Sequence, residues 1–250
     1  MTLYCVFRLY APMASWGEIA TGEDRHSSDH PSKSAVIGLI AAALGITRDQ
    51  ELINTQLTRT IGIACLVHYP GVPVEDFHTI QTPPQSELNK GSHFHTRKDE
   101  LSIGSDRLYT IISRREYRCD PWISVCLWER GQGLPFHLHE IAEALNNPVF
   151  SLYFGRKSCP PAYPLHAVTL EAPSILEAFR LDGWKPSVVV EGVTLPEEAA
   201  MYWDADGTAG GDDQPLRCAQ GRGGRGEQRF SVVGDDAAWQ RNPTMTGHQR

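Results

Sequence analysis

Apolar positions along the chain gather into short dense runs separated by long polar stretches. Leu3 to Leu9 (LYCVFRL) is rich in β-branched and aromatic residues and predicts a first strand, which Ala11-Pro12 ends. A polar loop follows from Pro12 to Pro31. Ser32 then precedes KSAVIGLIAAALG, whose Ala and Leu spacing suits a buried helix stopped by Gly45 just past its end. A second helical piece over Asp49 to Gln56 leads into Arg59 to Tyr69 (RTIGIACLVHY), a near-continuous apolar run expected of a central strand. From Pro70 to Arg118 the pattern changes: Pro, Gly, Ser, His and charges dominate, and only short segments such as LYTIISRREY could be strands. A polar excursion of this length between two sheet strands is usually functional. Trp122 to Glu129 resumes the core as a strand, Leu138 to Leu145 reads as a helix, and Phe150 to Phe154 as a further strand.

That order, strand, helix, strand, long insertion, strand, helix, strand, is the β-α-β-β-α-β order of a ferredoxin-like or RNA-recognition fold in the α+β class, with an elongated β-hairpin at the central β-β connection. The expected organisation is a main domain over 1–166 that includes the 70–118 insertion, a smaller C-terminal lobe over 167–207, and a flexible tail over 208–250. The tail carries low-complexity Gly/Arg runs and one possible short strand at Arg229 to Val233.

Composition sharpens this in three ways. With 250 residues, 41% hydrophobic and 21% charged, the chain can bury one large core and is expected to be soluble. No apolar run reaches the ~18 residues of a membrane span, and the start lacks the basic region and cleavage site of a signal peptide, so no membrane partner and a cytoplasmic setting are expected. Six cysteines (5, 65, 119, 126, 159 and 218) are scattered without a Cys-x-x-Cys pair, so neither disulfides nor zinc is expected. The net charge of −7 argues against nucleic-acid binding. Where the charge sits matters more than its sign, which decides little: Glu191 to Asp213 holds seven carboxylates and no Lys or Arg, whereas Glu87 to Arg118 holds seven basic residues against five acidic ones. A nearly neutral body with local basic loops suits a protein that holds RNA within a larger assembly.

Three stretches could carry chemistry. Pro12 to Ser34 offers Trp16, Arg25, His26 and then Ser32, Lys33 and Ser34 at a helix start, where unpaired backbone N–H groups, two hydroxyls and a lysine make a phosphate cradle; alternatively Ser32 merely caps the helix and Trp16 fills a gap beside the sheet. Reversal of Lys33 is expected to weaken RNA retention with the fold intact. The excursion interleaves His93, His95, Arg97, Lys98, Arg107, Tyr109, Arg114 and Arg115, cations beside rings that could meet phosphates and stack on unpaired bases, or form a plain solvated hairpin. Gly155-Arg156-Lys157-Ser158 lacks the Walker spacing and reads as a basic turn. Histidines 93/95 and 137/139 at i, i+2 could ligate a metal from one strand face, but spacing suggests no third ligand, so no metal or cofactor is expected. Neither a Gly-x-Ser-x-Gly elbow nor a His-Glu-x-x-His helix occurs.

Read as whole phrases, FRLYAPMASWG, HPSKSAVIGLIAAALG, ISRREYRCDPWISVCLWE and YFGRKSCPPAYPL together resemble the CasD family, the RAMP-superfamily subunit at the foot of the Cascade complex, and the last phrase is most similar to subtype I-E members. The resemblance covers residues 3 to 170 in order; the Gly/Arg-rich end departs from it. It implies a ferredoxin-like palm with a β-hairpin thumb, and a non-catalytic role gripping the 5′ handle of the guide RNA (crRNA). It also implies contact with the CasC backbone subunit, support for the large subunit CasA, and target DNA met only through the complex. By position it assigns RNA binding to Trp16, Arg25, Ser32, Lys33, Ser34, Arg156, Lys157 and Ser158, and, through the insertion, to Arg97, Lys98, Arg107 and Tyr109. The corresponding subunit of subtype I-C cuts precursor RNA, so a metal-independent endoribonuclease using His93, His95, Lys98 and Tyr109 is the alternative. A protein-protein bracket whose basic loops touch acidic partners is the third.

Overall fold

The computed structural model describes residues 1–17, 23–88, 94–102, 104–131, 133–182, 198–204 and 225–231. Strand β1 (Thr2–Tyr10) is followed by four two-residue pieces, β2 (Met13–Ala14), β3 (Trp16–Gly17), β4 (Asp24–Arg25) and β5 (Ser27–Ser28). Helices α1 (Lys33–Leu44) and α2 (Glu51–Thr60) lead to β6 (Ile61–Tyr69) and β7 (Val72–Thr82). Short helices α3 (Gln85–Leu88) and α4 (Arg97–Leu101) precede β8 (Tyr109–Cys119) and β9 (Trp122–Glu129), and then come α5 (Leu138–Asn146), β10 (Val168–Ala172), α6 (Ile175–Leu181), β11 (Glu198–Asp204) and β12 (Arg225–Ser231).

The main sheet has six strands in the order β10-β1-β9-β6-β11-β12, antiparallel throughout. The dense apolar runs seen in the sequence arise because both faces of this sheet are covered, which removes the polar half of the usual alternation. Cys5, Phe7 and Leu9 of β1 face α1 and α5 together with Ile63, Cys65, Val125 and Leu127. Their neighbours Tyr4 and Val6 face the other way with Ala64, Leu66, Cys126 and Trp128, under Ile175, Ala178 and Phe179 of α6. Helix α1 begins and ends as its sequence dictates: Ser32 accepts a hydrogen bond from the Ala35 N–H, and Gly45 closes the helix at φ 76°. Among the described residues no helix is long and apolar enough to cross a membrane.

Two expectations change. Phe150 to Phe154 is not a strand, and the edge strand beside β1 is β10 instead. The backbone groups of the 149–154 segment go elsewhere: Val149 and Phe150 donate to Ala43 and Ala42 at the end of α1, and Phe154 donates to Cys159 and accepts from Ser15. Helix α2 runs on through Thr60, because Leu57 is buried and Thr58 and Thr60 return their hydroxyls to the Asn54 and Gln56 carbonyls. Two strands from the 167–207 stretch, β10 and β11, belong to the same sheet as β1. The rest of that stretch from 183 to 197, and the tail apart from 225–231, lie outside the described residues.

The insertion contains a long two-stranded ribbon. β7 and β8 pair from Val72↔Cys119 at the base to Thr82↔Tyr109 at the far end. Its base is tied to the rest of the protein by β2 (Met13↔Cys119, Ala14↔Arg118) and by the parallel contact of β4 (Arg25↔Arg115). Tyr117, only 7% exposed, belongs to the main core, so the base of the ribbon is structural.

Candidate RNA-binding cleft

Three segments far apart in sequence meet at one point. The Ser15 N–H donates to the Phe154 carbonyl at 3.0 Å, and the Trp16 and Phe154 rings lie 5.5 Å apart. Gly155 follows at φ 84°, and a Cβ there would stand 1.7 Å from the Ser15 carbonyl oxygen, so this close approach requires glycine. Ser15 Oγ also donates to the Glu116 carbonyl of β8 (3.3 Å), and the Arg156 guanidinium lies 4.5 Å above the Tyr117 ring. The Trp16 loop, the 155–158 turn and the ribbon base are thereby fixed as one unit. Beside it a cleft of about 1250 Å³ opens between α1, α2 and the 150–160 segment, lined by Ser34 from the start of α1 and by Gly155 and Lys157 from the turn.

Of the residues singled out in the sequence, Ser34 and Lys157 line this cleft, Trp16 and Arg156 belong to the junction beside it, and Ser32 and Ser158 are not among its lining residues. Ser32 caps α1, its hydroxyl also 2.9 Å from that of Ser34, and Trp16 is buried against Phe154. Capping a helix and filling the space beside the sheet are what these two side chains do. Arg25 is exposed at the ribbon base. Arg97, Lys98, Arg107 and Tyr109 sit at the far end, ten residue pairs from Cys119 and thus roughly 30 Å away. There Arg97 bonds Glu100 and the Gln81 carbonyl, fastening α4 to β7, while Tyr109 is 62% exposed. His93 lies outside the described residues. His137 and His139 stand at the start of α5, where His139 shares a 2.7 Å hydrogen bond with Thr169, so they do not share a strand face.

Lys33 departs from expectation. Its Nζ donates to the Ile61 carbonyl (2.8 Å) and pairs with Asp204 (2.6 Å), a carboxylate that also receives Arg130 (3.4 Å) and the Ile63 N–H (3.3 Å). It fastens β11 to the start of α1. Lys33→Glu is consequently expected to destabilise the fold, by about 3 kcal/mol for reversal within a largely desolvated pair, and to lower the melting temperature by roughly 10 °C. An unchanged melt with reduced RNA retention would restore the phosphate role.

Sequence reasoning missed a second cluster beside α1. His30 stacks on Tyr202 with ring centroids 3.8 Å apart and 6° between planes, and Asp29 accepts from the Tyr202 hydroxyl at 3.2 Å. The hydrogen bond from His30 holds the Asp29 carboxyl below its ordinary range. On the other sheet face, burial, helped by the Arg8 guanidinium, pushes His68 down to about 4 while its Nε2 shares a 2.9 Å hydrogen bond with Ser124. A histidine lowered from ~6.5 is neutral in the fold and charges first in the unfolded chain. Its contribution is thus complete above pH ~6.5 and is lost as pH falls toward 4. Between pH 6.5 and 4.5 the loss should be on the order of 2 kcal/mol. Thermal melts of the wild type and His68→Gln across that window should converge at low pH; parallel curves would contradict the assignment.

The family model described as CRISPR-associated protein (Cas_Cas5) matches residues 4–231. The CRISPR system Cascade subunit CasD of Escherichia coli (strain K12) is 30% identical over 176 residues, which cover 69% of this chain and 73% of that protein. Among solved structures, a chain of a CRISPR RNA-guided surveillance complex aligns with a TM-score of 0.54 at 26% identity, covering 80% of this chain and 77% of that one.

Proposed function

The chain belongs to the CRISPR-associated Cas5 family, and from that premise we propose that it is a non-catalytic RNA-binding subunit of a type I-E surveillance complex, Cascade. In this reading it grips the 5′ handle of the crRNA, caps the CasC filament and supports CasA. The sheet with α1 and α5 serves as a ferredoxin-like palm, in keeping with the strand order fourth-first-third-second among β10, β1, β9 and β6. The β7–β8 ribbon serves as the thumb.

The observation that carries the proposal is the convergence of Ser34, Gly155 and Lys157 on one cleft. The first backbone N–H groups of α1 beyond the Ser32 cap point out of the helix start, and its first turn holds no carboxylate, which suits a phosphate. Lys157 is exposed beside it, and the Arg156 guanidinium lies over the Tyr117 ring. A scaffold needs no proton transfer, and precursor repeat RNA mixed with the purified protein is expected to stay uncut at any defined site. Lys157→Glu is expected to lower guide-RNA content in the purified assembly about tenfold, through loss of one phosphate contact and repulsion of the next, with an unchanged melt. Full RNA content in that variant would sink the assignment of the cleft.

A further inference from the structure

We propose that the outer arm of this cleft, between α2 and the 150–153 segment, is a stacking subsite for unpaired nucleotides of single-stranded RNA, with Phe150 and Tyr153 as the platforms and Arg48 and Arg59 as the phosphate contacts. The inference rests on the RNA-binding reading and extends it to residues that neither sequence pattern nor family resemblance singled out. Phe150 and Tyr153 line the cleft while 44% and 38% exposed. Their backbone is pinned at both ends, by Phe150 N–H to the Ala42 carbonyl (3.2 Å) and Phe154 N–H to the Cys159 carbonyl (2.8 Å). A backbone already held in place leaves less freedom to lose when a base stacks on the rings it carries.

Across the cleft Arg48 and Arg59 are exposed, and neither they nor Lys157 makes an ion pair with a described residue. Three cations face one carboxylate, Glu51, on the wall of a chain whose net charge is −7. This local excess is complementary to a phosphate backbone. The same wall argues against an apolar helix as occupant. Its larger aliphatic members Leu39, Ile46 and Leu152 are themselves buried, so the large apolar side chains left exposed to a ligand are the rings of Phe150 and Tyr153.

The test uses the full chain and single-stranded RNA carrying 5-iodouridine. Photocrosslinks are expected at Phe150 or Tyr153. The double variant Phe150→Ala, Tyr153→Ala should weaken binding by tenfold or more at an unchanged melt. Arg59→Ala should flatten the plot of log affinity against log salt by about 0.7, a change that loss of packing would not produce. Wild-type RNA binding with crosslinks elsewhere, together with a double variant that binds as the wild type does, would overturn the subsite and leave the RNA-binding reading standing. No RNA binding by the wild type would overturn both, and displacement of bound RNA by an amphipathic peptide alone would mark the arm as a protein groove.

Discussion

Gly155→Ala is expected to cost about 3 to 5 kcal/mol and to abolish RNA retention. Two penalties add. The backbone at φ 84° lies in the left-handed region, which costs a residue with a Cβ roughly 1 to 2 kcal/mol. The new carbon would also meet the Ser15 carbonyl oxygen at 1.7 Å and its carbon at 2.8 Å, backbone atoms that can yield only by separating the two loops. Separation breaks the Ser15–Phe154 hydrogen bond and slides Trp16 off Phe154. Lys157 then leaves the cleft that it lines with Ser34. Gly131→Ala is the control, since Gly131 has φ 74° but nothing within 4 Å of the added carbon. Melting both variants beside the wild type isolates the clash from the backbone penalty; equal melts would show that the two loops do not depend on this contact.

Removal of the outer ribbon is expected to leave the fold intact and to eliminate joining to partner subunits. Replacing residues 78–113 by Asn-Gly joins Phe77 to Arg114, which already face each other across the ladder, through a turn that suits two-residue hairpins. The residues lost include exposed Ile80, Tyr109, Ile111 and Ile112, which contribute little burial to the folded monomer. Ile80, Tyr109 and Ile111 lie on one face of the ribbon, and such a row of exposed apolar side chains is surface suited to a partner. Deleting all of 70–118 should behave differently, because buried Tyr117, its stack with Arg156 and the β2–β8 pairing leave with it. Losing a buried ring of that size costs about 3 to 5 kcal/mol. A short deletion that melts like the long one would show the outer ribbon to be core, and one that still assembles would remove it from the interface.

The fold was legible where physics is local. β1, β6 and β9 announce themselves as apolar runs because helices cover both faces of their sheet, and α1 is bounded by a capping serine and a left-handed glycine. The edge strand was not legible. VTLEA and SLYF are similar short segments, and the second is drawn away by the α1 carbonyls and by Ser15, partners that only the folded chain supplies. The site followed the same rule. Its three segments stood out as phrases of a family, yet their meeting at Gly155 depends on a contact across 140 residues, and Lys33 meets Asp204 across 171. A lysine at a helix start reads as a phosphate ligand until its carboxylate partner is in place. The cleft's outer arm stayed hidden because Arg48, Arg59, Phe150 and Tyr153 are ordinary surface residues one by one and face one another only once α2 packs beside the 150–160 segment.

The central claim, that this chain holds guide RNA in the cleft where the 155–158 turn meets the start of α1, is tested most directly by photocrosslinking within the assembly purified with its own RNA. Peptides spanning 150–160 and 32–35 are predicted to carry crosslinked nucleotides from the 5′ end of the guide, with those nucleotides protected from nuclease. An assembly in which this chain carries no RNA crosslink and the 5′ end is digested freely would contradict the account and leave the chain as a bracket between protein partners.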